Sequence, residues 1–118
     1  MKHSTGKPTK AEQARLDAIQ DMPCCACVIE GIDQPNATEA NHLVDKGYRK
    51  HSGGHMATIP LCGWHHRAEP LMELTRREMI VIYGPSMKTS KRDFVAMYGT
   101  ERELLAITDE ALTKRSAA

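Results

Sequence analysis

The sequence predicts an α+β fold: a short strand–loop–strand–helix core, preceded by one helix and followed by a helical tail. Three observations predict it. Two short β-type runs, residues 38–44 and 57–60, flank a polar, glycine-bearing stretch. Two residue pairs with knuckle spacing, Cys24-x-x-Cys27 and Cys62-x-x-His65, bracket those runs and can close them on one ion. Capping-box patterns at Thr9, Thr75, Ser90 and Thr100 mark helix starts outside that bracket.

Taken in order, residues 1–8 are expected to form a basic flexible tail; the first ten residues carry Lys2, Lys7 and Lys10 and no acid. Thr9-Lys-Ala-Glu12, preceded by Pro8, starts a helix to about Gln20, with Ala11, Ala14, Leu16, Ala18 and Ile19 available for burial. Pro23 ends that region, and Cys24-Cys-Ala-Cys27 follows at once. Gly31, Pro35 and Asn36 are turn residues. Thr38 to Val44 reads as a strand carrying Asn41 and His42; residues 45–54, ending in Ser52-Gly-Gly54, read as a loop; Ala57-Thr-Ile-Pro60 reads as the second strand. Leu61-Cys-Gly-Trp-His-His-Arg67 opens a short helix stopped near Pro70. Thr75-Arg-Arg-Glu78 starts a helix that ends at Tyr83-Gly84-Pro85, Ser90-Lys-Arg-Asp93 one that ends at Tyr98-Gly99, and Thr100-Glu-Arg-Glu103 the last. The expected organisation is a tail, 1–8, and one domain, 9–118, with a core over about 24–70 and a helical tail over about 71–115.

At 118 residues the chain fits one domain with a modest core, which a bound metal would help to hold. A net charge of +1 argues neither for nor against a nucleic-acid partner. Basic stretches occur at Lys46, Arg49, Lys50 and His51, and at Lys88, Lys91 and Arg92; each alone reads as a solvated face. The polar start is not followed by an apolar segment, and the longest apolar run, Met79 to Tyr83, is too short to span a bilayer, so no membrane partner is expected. The reading is a reducing cytoplasm, that of the host if the chain is phage-encoded. There, clustered cysteines signal metal binding or catalysis before disulfides.

Two ligands separated by two residues can both be aimed at one ion by a tight turn. Cys24, Cys27, Cys62 and His65 together complete a tetrahedral Cys3His shell, the chemistry of a closed structural Zn2+ site. Cys25 is the extra thiol; Cys25-x-Cys27 is a poorer ligand spacing, and Cys25 otherwise packs beside the site as a small apolar group. Such an ion encloses the segment that holds Asn41, His42, His51 and His55, and its binding is folding energy. His66 follows His65 directly. Adjacent helical residues point about 100° apart, so His66 is free to meet a second metal.

The pattern Asn41-His42, then Gly54-His55, then Pro60-Leu-Cys-x-x-His-His66, resembles the motif of HNH (ββα-metal, His-Me finger) endonucleases. Within that superfamily the chain resembles the phage Ref family, recombination-enhancement nucleases that work with the RecA recombinase. The resemblance rests on the N-terminal helix running into Cys-x-x-Cys, the Asn41-His42 pair and Thr58-Ile-Pro-Leu-Cys-x-x-His-His-Arg67; Gly84-Pro-Ser86, Phe94, Tyr98-Gly99 and Glu103-Leu-Leu105 extend it over about Thr9 to Leu105. It implies a zinc-stapled ββα-metal core and DNA phosphodiester hydrolysis that leaves 5′-phosphate and 3′-hydroxyl ends. His42 would be the general base, and Asn41 and His66 would hold one catalytic Mg2+ or Mn2+. His55 would orient His42, contact the phosphate or add a ligand. Lys46, Arg49, Lys50 and Arg67 would contact DNA phosphates, which give affinity without sequence information. DNA is the implied partner and, less directly, a RecA filament, because the basic N-terminal extension of the longer members is short here.

Asn41 stands where Asp or His is common, and an amide oxygen is a weaker ligand for a hard cation than a carboxylate. The alternative reading is a non-catalytic zinc-stabilised DNA- or protein-binding module, with His42 a plain strand residue and His55 and His66 surface groups. An adaptor that docks on a recombinase through the helices from Thr75 onward ranks behind both. His66 favours the enzyme, since a structural zinc site has no need of it. No role is evident for His51.

Overall fold

The computed structural model describes residues 6–117, so most of the expected basic tail, residues 1–5, lies outside the described residues. Its elements run α1 (Lys10–Gln20), α2 (Cys25–Glu30), β1 (Thr38–His42), a 3-10 turn (Gly54–Met56), β2 (Thr58–Cys62), α3 (Gly63–Arg67), α4 (Arg76–Tyr83), α5 (Lys91–Tyr98) and α6 (Glu101–Ala117). This is the expected α+β order. β1 and β2 form an antiparallel pair in which Asn41 faces Ile59 and His42 faces Thr58. All five residues of β2 are buried, because α1, α2, α3 and α6 all pack against that strand.

Three of the four capping boxes form. Thr9 with Glu12 and Thr75 with Glu78 exchange reciprocal hydrogen bonds at the starts of α1 and α4, and Thr100 with Glu103 does the same for α6. Ser90 does not cap α5. Its backbone sits at φ −143° and ψ 50°, and its side chain makes no cap hydrogen bond. No element was expected over the cysteine segment itself. Cys25–Glu30 is a helix, closed by Gly31 in the left-handed conformation at φ 74°. A Cys-x-x-Cys pair whose ligands converge needs the i, i+3 geometry that a helical turn supplies.

The core joins Ile59, Leu61 and Trp64 to Leu43, Met79, Phe94 and Leu104. Trp64 is fully buried; its backbone N–H donates to Asn36 Oδ1 and its ring Nε1–H to Gly84 O. Gly53, at φ 117°, lies where a Cβ would stand 2.6 Å from Ala57 Cβ, so the turn that delivers His55 has room only for glycine.

Arg15 ties α1 to the strand pair and to the last helix. Its Nε and Nη2 donate to the Thr58 hydroxyl and carbonyl at 3.0 and 2.8 Å, and Nη1 meets Asp109 at 2.8 Å. Arg15→Ala leaves the fully buried Thr58 without those donors. The expected destabilisation is about 1–3 kcal/mol, read as a lower urea midpoint at an unchanged slope.

Candidate functional site

The two ligand pairs are built alike. Cys24 and Cys62 are the N-cap residues of α2 and α3, and Cys27 and His65 stand three residues further along. Each pair is therefore aimed by one helical turn. The two turns meet, and the three sulfurs and a His65 ring nitrogen all lie within 4.8 Å of one another, in fully buried surroundings. His65 Nδ1 is 3.5, 3.5 and 3.3 Å from the Sγ atoms of Cys24, Cys27 and Cys62, and Cys27 Sγ is 4.0 Å from Cys62 Sγ. A tetrahedral zinc shell requires S–S and S–N edges of about 3.8 and about 3.5 Å, so the donor set fits such an ion in both type and spacing. This Cys3His cluster could hold a structural metal such as zinc.

The electrostatics fit the same chemistry. Hydrogen bonds from Cys27 and Cys62 hold the Cys24 thiol far below its ordinary range, while the contact with Cys24 drives Cys27 up. Burial pulls His65 down, but the bonds and charge of Cys24 and Cys62 outweigh it and lift the ring to about 10. Without an ion the cluster retains protons that a cation would displace. Behind it, His65 Nε2 donates to Tyr83 O at 2.8 Å, and the Tyr98 hydroxyl donates to Glu30 and lies 3.2 Å from His65 Nε2. These contacts orient the imidazole so that Nδ1 faces the thiols. Cys25 stays out of the cluster. Burial pushes its thiol up to about 12, and it lines an apolar groove with Met22, Pro23, Val28 and Ile29.

A second group lies at the end of β1. His42 Nε2 is 2.9 Å from His55 Nδ1, and His55 Nε2 is 2.8 Å from Gly6 O. A carbonyl can only accept, so the His55 proton sits on Nε2. With that proton on Nε2, the Nδ1 lone pair of His55 accepts from His42 Nε2–H. The remaining His42 nitrogen, Nδ1, carries the lone pair; it is buried and has no hydrogen-bond partner. Burial, followed by the nearby charges of Arg49, His55 and His66, lowers His42 to about 4, so the ring is neutral near pH 7. The described part of the N-terminal stretch is thus held at Gly6, by His55.

On the other face of β1, Glu39 accepts from His66 Nδ1 at 2.8 Å and from Arg67 Nε at 3.0 and 2.9 Å. Arg67 also meets Glu69 at 2.7 Å. Burial raises Glu39, but the bonds from Arg67 and His66 outweigh it and keep the carboxylate ionised. Asn41 follows Glu39 by two residues and so shares its strand face. Asn41 is buried, and its amide Nδ2 has no partner. Glu39 was missed in the sequence, although period-two alternation from Asn41 pointed to it.

Lys46, Arg49, Lys50 and His51 are exposed on the loop between the strands. α6 clamps that loop from beneath: Glu101 accepts from Val44 N, and Arg102 holds Asp45 at 2.8 and 2.9 Å. His51 lies against Tyr48, 3.0 Å from its hydroxyl. Arg67 differs from the loop cations because two carboxylates already occupy its guanidinium.

Fold and clusters together define a small α+β domain with a Cys3His centre at one end of the strand pair and a histidine group at the other. Residues 8–113 match the family described as recombination enhancement, RecA-dependent nuclease. The chain belongs to that family, and it is accordingly a nuclease that acts on DNA in recombination. Among the described residues, no helix is long and apolar enough to cross a membrane.

Proposed function

We propose that the chain hydrolyses DNA phosphodiester bonds by the HNH mechanism, with His42 as general base and with Asn41 and His66 holding one catalytic Mg2+ or Mn2+. The observation that carries this reading is the chain of hydrogen bonds from Gly6 through His55 to His42, which leaves the His42 Nδ1 lone pair without a partner. A neutral imidazole with one unpartnered lone pair is what a general base toward water requires. His55 orients that base, which selects one of the three roles open to it.

The chemistry of the donors supports the cation. Asn41 is buried with an unpartnered amide nitrogen. Turned over, the same amide offers Oδ1 at that position, and an oxygen there is satisfied by a hard cation. The cation, when bound, polarises the scissile phosphate and stabilises the leaving 3′ oxygen. His42 takes the proton of the attacking water onto Nδ1, while its Nε2–H stays bonded to His55. Zinc in the Cys3His centre supports the site indirectly, since His65 and His66 are neighbours on α3. Lys46, Arg49 and Lys50 contact phosphates from the loop. Arg67, shared between Glu39 and Glu69, is a weaker phosphate contact than these three.

The test is plasmid nicking by the purified chain with Mg2+, with Mn2+ and with EDTA, run with and without a RecA-coated oligonucleotide on homologous plasmid. Divalent-dependent cutting is expected, and cutting confined to the RecA arm would make the RecA filament an obligatory partner. No cutting in either arm, with the structural metal bound, would overturn the proposal in favour of a zinc-stabilised binding module.

A further inference from the structure

We infer that Glu39 is a positioning residue for His66: it accepts the Nδ1–H and so turns Nε2 outward as the metal-binding atom. The inference rests on the reading of His66 as a cation ligand. A carboxylate with no proton of its own can only accept, so the 2.8 Å contact requires the His66 proton to be on Nδ1. With Nδ1 engaged as the donor, Nε2 is the ring nitrogen left to take a cation. A carboxylate behind a metal-bound imidazole fixes both the tautomer and the ring plane and makes the ligand more basic.

Glu39 is itself held rigid. Arg67 Nε reaches both carboxylate oxygens, at 3.0 and 2.9 Å, Arg67 Nη2 adds a contact at 2.9 Å, and Glu69 anchors Nη2 from the far side. A solitary surface ion pair contributes little to stability, and the Glu39–His66 pair is only partly exposed, with side chains 29% and 24% accessible. The arrangement is better explained by what it does to the ring. Glu39 and Asn41 sit on one face of β1, so the buttress for one proposed ligand and the other ligand itself come from the same stretch of strand.

The test is Mn2+ titration into the full zinc-loaded chain, followed by electron paramagnetic resonance of free Mn2+, together with nitrogen NMR of the His66 ring before Mn2+ is added. Glu39→Ala is expected to weaken Mn2+ binding roughly 10- to 100-fold and to release His66 from the Nδ1–H tautomer. In Glu39→Gln the amide oxygen still accepts from Nδ1, so most of the affinity and the tautomer should return. Unchanged Mn2+ affinity in Glu39→Ala would overturn the inference. So would lost affinity with the Nδ1–H tautomer retained, which would make Glu39 a direct ligand. His66→Ala separates the two levels of the argument. If it binds Mn2+ like the parent chain, the cation reading fails; if it loses Mn2+ while Glu39→Ala does not, only the positioning role fails. Retained zinc content in each variant shows that the fold is intact.

Discussion

His42→Ala is expected to lower the rate of DNA cleavage by on the order of 10²–10⁴-fold, with zinc content and helical signal unchanged. The substitution removes the one nitrogen of the histidine group whose lone pair is without a partner. It leaves the Cys3His ligands on α2, β2 and α3 untouched, and His55 keeps its bond to the Gly6 carbonyl. His55→Ala should slow cleavage less, because it frees the His42 ring to change tautomer without removing the base. Because His55 acts through His42, the double variant should be no slower than His42→Ala alone. Single-turnover cleavage rates for the three variants decide the matter. Parental rates in His42→Ala would overturn the mechanism, and a double variant much slower than His42→Ala would give His55 an independent role.

Cys62→Ala is expected to abolish the cooperative fold. Structural zinc in small domains supplies about 10–16 kcal/mol of apparent binding free energy, against a typical folding stability of roughly 5–15 kcal/mol for a whole domain. Loss of a ligand therefore removes a quantity comparable to the entire stability of the chain. Cys62 is also the hinge between β2 and α3, so releasing it separates the strand from the helix that carries His65 and His66. Metal content and a thermal melt by circular dichroism test this together. A Cys62→Ala protein that melts cooperatively with its zinc bound would overturn the ligand assignment. Cys25→Ala is the control: its thiol lines an apolar groove outside the cluster, so metal should be retained at a cost of about 1 kcal/mol.

Much of the architecture was legible because it depends on neighbours in sequence. Thr9, Thr75 and Thr100 cap the helices that follow them through bonds to the residue three positions on. Ser90 is the exception: its N–H donates to Ser86 O in the turn that enters α5, and its side chain makes no cap hydrogen bond. The helix Cys25–Glu30 was hidden because Pro23 before it and Gly31 after it read as turn signals on either side of only six residues. Too few positions lie between them to show a helical period.

By itself the sequence determined the fold class, the four residues of the metal cluster and the family resemblance, because all three rest on local spacing. Two residues between ligands is a constraint that a single turn can satisfy, so it is visible wherever it occurs. Tertiary structure alone decided which partner each histidine meets. His42 bonds His55 across thirteen positions, His66 bonds Glu39 across twenty-seven, and His55 reaches Gly6 across forty-nine. No periodicity links residues so far apart; the packing of α1, the strand pair and α3 brings them together. Which ring nitrogen carries a proton, and hence which one is free to act, follows from those contacts and from nothing in the order of the residues.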